Sequence, residues 1–286
     1  MSFPVPEGAV LFDGRWVAPG EASLPLADPS VQSGLGVFET LAVREGRVLD
    51  LDDHVARLGA SAARLGVPLP EPEVLVAACL GYAAHAGAGT GWMKILAVRG
   101  GHWAVFGGAM SPEEEGRPAT AVVLPWSRSV ADPLGGVKST SYGPFALGLE
   151  EARRRGADEG LWRNARGHLL EGCASNLFLV GGRALFTASP REGVLAGTTR
   201  AHALDAARAM GLSIHEGRVR MERLLRAEEA FLTSSLRGVR PLLAVDGRRV
   251  GRGVPGPVTM EIARRVARAR EASARAPETL VPETER

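Results

Sequence analysis

Short apolar runs broken by turn residues dominate the first third of the chain, and helical periodicity enters only in places. Apolar residues flank Asp13-Gly14 within residues 9–17, which predicts a hairpin, since Asp-Gly suits a two-residue turn of positive φ. Residues 37–43 and 47–49 flank Glu45-Gly46 and predict a second. Val55, Leu58, Ala62 and Leu65 then recur at helical spacing, with Asp52 or Asp53 as cap and Gly66 as stop. Residues 71–86 form the next predicted helix, and residues 93–98 and 119–124 the next strands. A polar, Pro/Gly-containing stretch covers 127–136. Beyond it the pattern predicts a helix over 144–155, strands over 169–180 and 183–187, and a helix over 200–210 stopped by Gly211. A strand over 229–233, a turn at Asp246-Gly247 and a basic amphipathic helix over 257–274 follow. Hairpins in both halves, rather than regular strand–helix alternation, predict an α+β fold. The polar stretch divides the chain into an N-terminal domain 1–126, a linker 127–136 and a C-terminal domain 137–275, with a disordered tail over 276–286.

Composition narrows the class. The most apolar predicted helix, within 74–86, is too short to span a bilayer, so no membrane association is expected. Two distant cysteines, Cys79 and Cys173, form no CxxC pair, which argues against a disulfide scaffold or a metal site. The first residues show no basic segment followed by an apolar run, so no signal peptide is expected and a cytoplasmic enzyme is the expected class. The 34 basic residues are nearly cancelled by 32 acidic ones and are scattered, so no nucleic-acid partner is expected. Of those 34, only Lys94 and Lys138 are lysine. Solubility and salt bridges can use arginine, but imine chemistry needs a primary amine that can lose its proton. A lysine in so lysine-poor a chain is therefore a stronger catalytic candidate than usual.

Four segments carry candidate chemistry. Lys138 lies in Gly136-Val137-Lys138-Ser139-Thr140-Ser141-Tyr142, between a strand-like approach and a helix; Lys94 reads as an ordinary charge. Leu195-Ala196-Gly197-Thr198-Thr199-Arg200 opens a helix and is either a phosphate-binding N-terminus or a plain cap. Glu171-Gly172-Cys173-Ala174-Ser175-Asn176 places a carboxylate before small residues, as beneath a flat ring or at a polar strand end. His54-Val55-Ala56-Arg57-Leu58 offers Arg57 either as an anion fork or as an exposed helix arginine.

With Gly36-Val37-Phe38-Glu39-Thr40 and Phe231-Leu232-Thr233-Ser234-Ser235, these segments resemble in order the class IV, or fold type IV, pyridoxal-phosphate enzymes, from about Leu11 to Val250. The resemblance implies a small N-terminal domain, a larger C-terminal domain, a cleft between them holding pyridoxal 5'-phosphate, and a homodimer. It implies that Lys138 carries the cofactor and moves the substrate proton, that Glu171 pairs with the pyridine nitrogen, and that Tyr142 hydrogen-bonds the ring's phenolic oxygen. Arg57, Thr198, Thr199 and Ser235 would hold the phosphate. Phe38-Glu39-Thr40 and Ser234-Ser235-Leu236-Arg237-Gly238-Val239 look most like aminodeoxychorismate lyase, which releases pyruvate and p-aminobenzoate for folate synthesis. Its small, carboxylate-bearing amino substrate suggests Arg99, Arg237 and Arg240 as partners. A class IV aminotransferase of branched-chain or D-amino-acid type is the alternative, although the Pro-Arg-x-His patch of the latter is missing after Arg99-Gly100. A non-catalytic cofactor-binding protein is the third reading. Ser141 stands where the family usually has Asn, a departure on the substrate side.

Overall fold

The computed structural model describes residues 8–87, 89–111 and 115–277. Of the expected disordered tail, residues 278–286 lie outside them. Strands β1 (Val10–Phe12), β2 (Arg15–Val17), β3 (Gly36–Arg44), β4 (Arg47–Val48), β5 (Gly91–Val98) and β6 (Trp103–Ala109) form an antiparallel sheet in the order β2-β1-β6-β5-β3-β4. Both expected hairpins are present, turning at Asp13-Gly14 and Glu45-Gly46 with positive φ at all four residues. Period-two alternation buries Val37, Leu41 and Val43 of β3 and Met93, Ile95 and Ala97 of β5 beneath α2 (Leu51–Leu65) and α3 (Pro72–Ala86). Phe38, Thr40, Lys94 and Leu96 consequently project from the opposite face.

A second sheet of nine strands holds β7 (Ala119–Arg128), β8 (Glu159–Asn164), β9 (Leu169–Gly172), β10 (Asn176–Gly181), β11 (Ala184–Ala188), β12 (Ser213–Gly217), β13 (Glu229–Ser234), β14 (Gly238–Val245) and β15 (Arg248–Arg249). Its order is β12-β11-β10-β13-β14-β7-β8-β9, with β15 on β14. Pairing of Asn176 with Glu171 brings β9 back onto β10, so six strands close into a ring. Alternation again sorts the side chains. Leu177 and Leu179 join Leu161, Leu232 and Leu242 inside the ring, whereas Phe178, Val180 and Phe231 meet α5 (Thr198–Ala209) and α7 (Pro257–Ala272) outside it. Helix α4 (Gly143–Arg154) packs on β7 and β8; α1 (Pro29–Ser33) and α6 (Met221–Leu225) are short. Among the described residues no helix is long and apolar enough to cross a membrane.

Several expectations are corrected. Strand β7 runs through residues 127 and 128 and hydrogen-bonds to β8 and β14, so the strand assigned to the N-terminal domain belongs to the second sheet. The crossing between sheets thus falls between Ala109 and Ala119, before the expected linker. Residues 169–180 are two strands, because Gly172, Cys173 and Ser175 form a tight turn closed by the Gly172 N–H donating to Ser175 O at 2.7 Å. Helix α2 is capped by Asp50 in a left-handed conformation (φ 55), with Asp52 and Asp53 in its first turn rather than at the cap. Helix α5 starts at Thr198 and α7 ends at Ala272. Strands β6, β8 and β12 were not anticipated: each carries charged or glycine residues that blur alternation.

The two sheets meet at Lys138. Because β4 pairs only with the far end of β3, the near end keeps a free edge. Residues 138–140 take that edge: the Phe38 N–H donates to Lys138 O at 3.0 Å and the Thr140 N–H to Gly36 O at 2.9 Å. The lysine backbone is therefore fixed by sheet pairing, the rigid mounting that a reacting amine needs.

Candidate active site

Lys138 lays its Nζ over the Phe38 ring, 4.4 Å from the centroid. Burial pushes the amine down to about 8, with Arg57 and Lys94 adding to the effect and Glu39 and Glu171 opposing it. An amine at that value is neutral often enough near pH 7 to act as nucleophile and base.

Beneath it lies a buried polar network. Glu39 is fully buried on β3 and accepts two hydrogen bonds from Arg57 of α2, Nε at 2.8 Å and Nη2 at 2.6 Å. His54, one helical turn earlier and also fully buried, lies with Nδ1 2.6 Å from the same carboxylate. Since Glu39 is ionised, Nδ1 must be the donor, and since burial lowers the His54 pKa and favours the neutral ring, Nε2 is left as acceptor, 3.3 Å from both the Thr198 and Ser235 hydroxyls. Burial alone would raise the Glu39 carboxyl, but Arg57 and His54 outweigh it and hold it at about 2. A carboxyl so depressed contributes stability that is full above roughly pH 4.5 and lost as pH falls toward 2, on the order of 3 kcal/mol. Glu39→Gln is therefore expected to flatten the acid limb of a pH–stability curve. An unchanged acid limb would show that the network carries no such linkage.

The network ends at the start of α5, where Gly197 supplies no side-chain cap. A Cβ on Gly197 would sit 2.2 Å from Asn176 Oδ1, so only glycine fits there. Thr199 is buried, and its hydroxyl has no hydrogen-bond partner among the described residues. Free helix N–H groups, an orphaned hydroxyl and the Arg57 guanidinium make a receptor for a phosphate. Arg57 also donates through Nη1 to Ala196 O at 3.1 Å, tying α2 to this loop.

Glu171 stands at the ring closure. Its Oε1 accepts from Arg128 Nη1 at 2.7 Å, and its Oε2 accepts from the Leu195 N–H at 2.9 Å and Asn176 Nδ2 at 3.3 Å. Burial pushes its carboxyl up, against the pull of Arg128. Tyr142 lies in the same site, edge-on to Phe38 and stacked on Phe145, and its hydroxyl donates to Cys173 O at 2.6 Å. That donor holds the turn after Glu171.

Lys138, Arg57, Thr198, Ser235, Glu171 and Tyr142 are thus brought into one neighbourhood through Phe38, Glu39 and His54, with Thr199 beside Thr198. The three arginines expected at the substrate fare differently. Arg240 is buried within β14 and donates through Nε to Arg117 O at 2.8 Å, a sheet-bracing role. Arg99 is exposed, with its guanidinium beside Gly66 at the end of α2. Arg237 lies before β14, in a loop whose carbonyl accepts from the Gly116 N–H. The charges acting most strongly on Lys138 come instead from Glu39, Arg57, Lys94 and Glu171.

Lys94 is the residue that sequence reading passed over. It projects from the face of β5 opposite α2 and α3, with Nζ 5.0 Å from the centroid of the same Phe38 ring. It has no ion-pair or hydrogen-bond partner among the described residues, and burial lowers its pKa. The signal available was that it is the chain's only other lysine. Arg128 and His54 were likewise given no role by sequence alone, Arg128 because its partner Glu171 is 43 residues away.

Residues 36–245 match the family described as amino-transferase class IV. The D-alanine aminotransferase of Bacillus licheniformis is 26% identical over 271 residues, covering 88% of this chain and 94% of that protein. The branched-chain aminotransferase of Thermoproteus uzoniensis, solved with norvaline, superposes with a TM-score of 0.86 at 28% identity, over 93% of this chain and 95% of that one. A Legionella pneumophila structure provisionally assigned as a 4-amino-4-deoxychorismate lyase gives a TM-score of 0.80 at 25% identity, over 86% and 95%.

Proposed function

The chain belongs to the class IV aminotransferase family, and from that premise we propose that it is a pyridoxal-phosphate-dependent 4-amino-4-deoxychorismate lyase. Pyruvate would leave, and p-aminobenzoate would remain for folate synthesis. Membership makes the protein a pyridoxal-phosphate enzyme of lyase or aminotransferase type; the choice of lyase is our reading.

The observation that carries it is Lys94. A half-buried cation without an anionic partner, set on the same ring as the reacting amine, calls for an anion on the substrate. Aminodeoxychorismate is a dianion, so one carboxylate can meet Lys94 while its amine meets the cofactor. The Phe38-Glu39-Thr40 and Ser234-to-Val239 motifs and the Legionella likeness point the same way.

When bound, pyridoxal phosphate supplies a conjugated ring that accepts electrons from the bond being broken. The residues of this chain divide the remaining work. Arg57, Thr198, Thr199 and Ser235 would hold the phosphate, and Glu171 would keep a proton on the ring nitrogen. Lys138 would hold the cofactor through its Nζ and, when that amine is free, would remove the substrate's ring proton. Its pKa of about 8 lets it serve as that base near neutrality. Aromatisation of the substrate ring would drive pyruvate off. Phe38 and Tyr142 would wall the cleft and exclude water. The family resemblance supports a homodimer.

Purified, cofactor-loaded protein mixed with aminodeoxychorismate should release pyruvate and p-aminobenzoate together. No release from protein that visibly holds cofactor would reject the lyase and leave an aminotransferase, a reading favoured by the D-alanine and branched-chain relatives. Lys94→Met should raise the KM for the dianionic substrate roughly tenfold to a hundredfold, as loss of a charged hydrogen bond worth about 1.5–3 kcal/mol. Cofactor affinity should stay unchanged; an unaltered KM would remove Lys94 from the site.

A further inference from the structure

Helix α7 lies outside every motif that the sequence offers for cofactor chemistry, yet it holds the most deeply buried arginine of the described residues. Arg270 is 2% exposed and makes two hydrogen bonds from one guanidinium. Its Nε donates to Asp50 Oδ2 at 2.7 Å, and its Nη2 donates to the Ser235 carbonyl at 2.7 Å. Asp50, also 2% exposed, accepts on its other oxygen from His202 Nε2 at 2.9 Å and Ser273 Oγ at 2.7 Å.

Each partner belongs to an element that bears a phosphate-site group. Asp50 caps α2, and its carbonyl accepts the His54 N–H, one turn before Arg57. His202 lies on α5, one turn after Thr198. Ser235 directly follows β13 and carries the hydroxyl that faces His54. The end of α7 is fastened to the first sheet as well: Arg275 and Val48 exchange backbone hydrogen bonds at 2.8 and 2.9 Å, and Arg47 donates to Ala274 O at 3.0 Å. Asp50, Asp53 and His202 could in principle surround a cation, but both Asp50 oxygens are already engaged by Arg270, Ser273 and His202.

We propose that the Asp50–Arg270 pair is a positioning device for the phosphate end of the cofactor site, which makes α7 a working part of that site. The proposal rests on the phosphate assignment given above. A planar guanidinium suits the task, since its fork fixes a carboxylate and a carbonyl at set angles; a lysine ammonium has three donors but no rigid fork to set those angles. Through these two bonds and the His202–Asp50 bond, the three segments that meet the phosphate are held in register although they come from distant parts of the chain.

The test compares pyridoxal 5'-phosphate with pyridoxal, which lacks the phosphate, by absorbance titration of the apoprotein. The double variant Asp50→Asn/Arg270→Met removes both buried charges together, so that neither is stranded. It should lose roughly tenfold in affinity for pyridoxal phosphate, the low end for outer partners that orient a ligand site, and keep its affinity for pyridoxal. Arg270→Lys, which keeps the charge, should show the same selective loss. Equal losses for both aldehydes, or no loss for either, would overturn the positioning role. A wild-type protein that bound both aldehydes equally would overturn the phosphate assignment itself, and this proposal with it.

Discussion

Lys138→Ala is expected to abolish covalent cofactor binding and to lower turnover by at least roughly 10³-fold, since on the proposed reading one side chain would supply both the nucleophile and the proton-transfer base. The loss should not come from unfolding. In the wild-type apoprotein, burial lowers the Lys138 amine to about 8 from an ordinary value near 10.5. Below pH 8 the folded protein holds a charge in an unfavourable place, and that cost is relieved as pH rises from 8 toward 10.5. The Ala variant carries no such cost. Its melting temperature without cofactor should equal or exceed that of wild type below pH 8, with the gap closing above it. For the same reason, covalent capture of cofactor by wild type should speed up with pH and level off above about 8. A Lys138→Ala protein that melts lower, yet keeps turnover, would place the chemistry on another residue.

Glu171→Gln should retain bound cofactor but lose about 10²-fold in turnover, as expected when one preorganised electrostatic partner of the reacting system is removed. All the hydrogen-bonding neighbours of Glu171 are donors: Arg128, the Leu195 N–H and the Asn176 amide. An amide in its place would turn its own N–H toward one of them, so some loss of stability, about 1–3 kcal/mol, should accompany the loss of rate. Glu171→Asp keeps the charge and shortens the reach. If the carboxylate acts on the ring nitrogen, Asp should lose rate while avoiding the donor–donor clash. Unchanged turnover in the Gln variant would exclude that role.

How much of this was legible beforehand depends on the range of the interactions. The hairpins at Asp13-Gly14 and Glu45-Gly46 and the helices within 51–65 and 71–86 are local, and turn chemistry and periodicity found them. The closure of β9 on β10 and the edge pairing of residues 138–140 with β3 are not local, and no spacing announces them. The same division holds in the site. Glu171, Lys138, Arg57, Thr198, Thr199 and Ser235 could be proposed from sequence because short motifs carry them. Lys94 sits in an ordinary strand, and only the register that sets it on Phe38 reveals an unpartnered cation. Arg240 shows the converse: it lies near a motif, and only the folded sheet reveals that its Nε is engaged by Arg117 O. Arg270 gave no signal, since its partners lie 35 and 220 residues away.

The most direct measurement is to reduce the cofactor-loaded protein with borohydride, digest it and locate the phosphopyridoxyl group. With only Lys94 and Lys138 among the side chains able to carry it, the answer is a choice between two peptides. The structure predicts the label on Lys138, with Lys94 unmodified. A label on Lys94, or no lysine label in protein that holds cofactor, would contradict the assignment of Lys138 as the reacting amine.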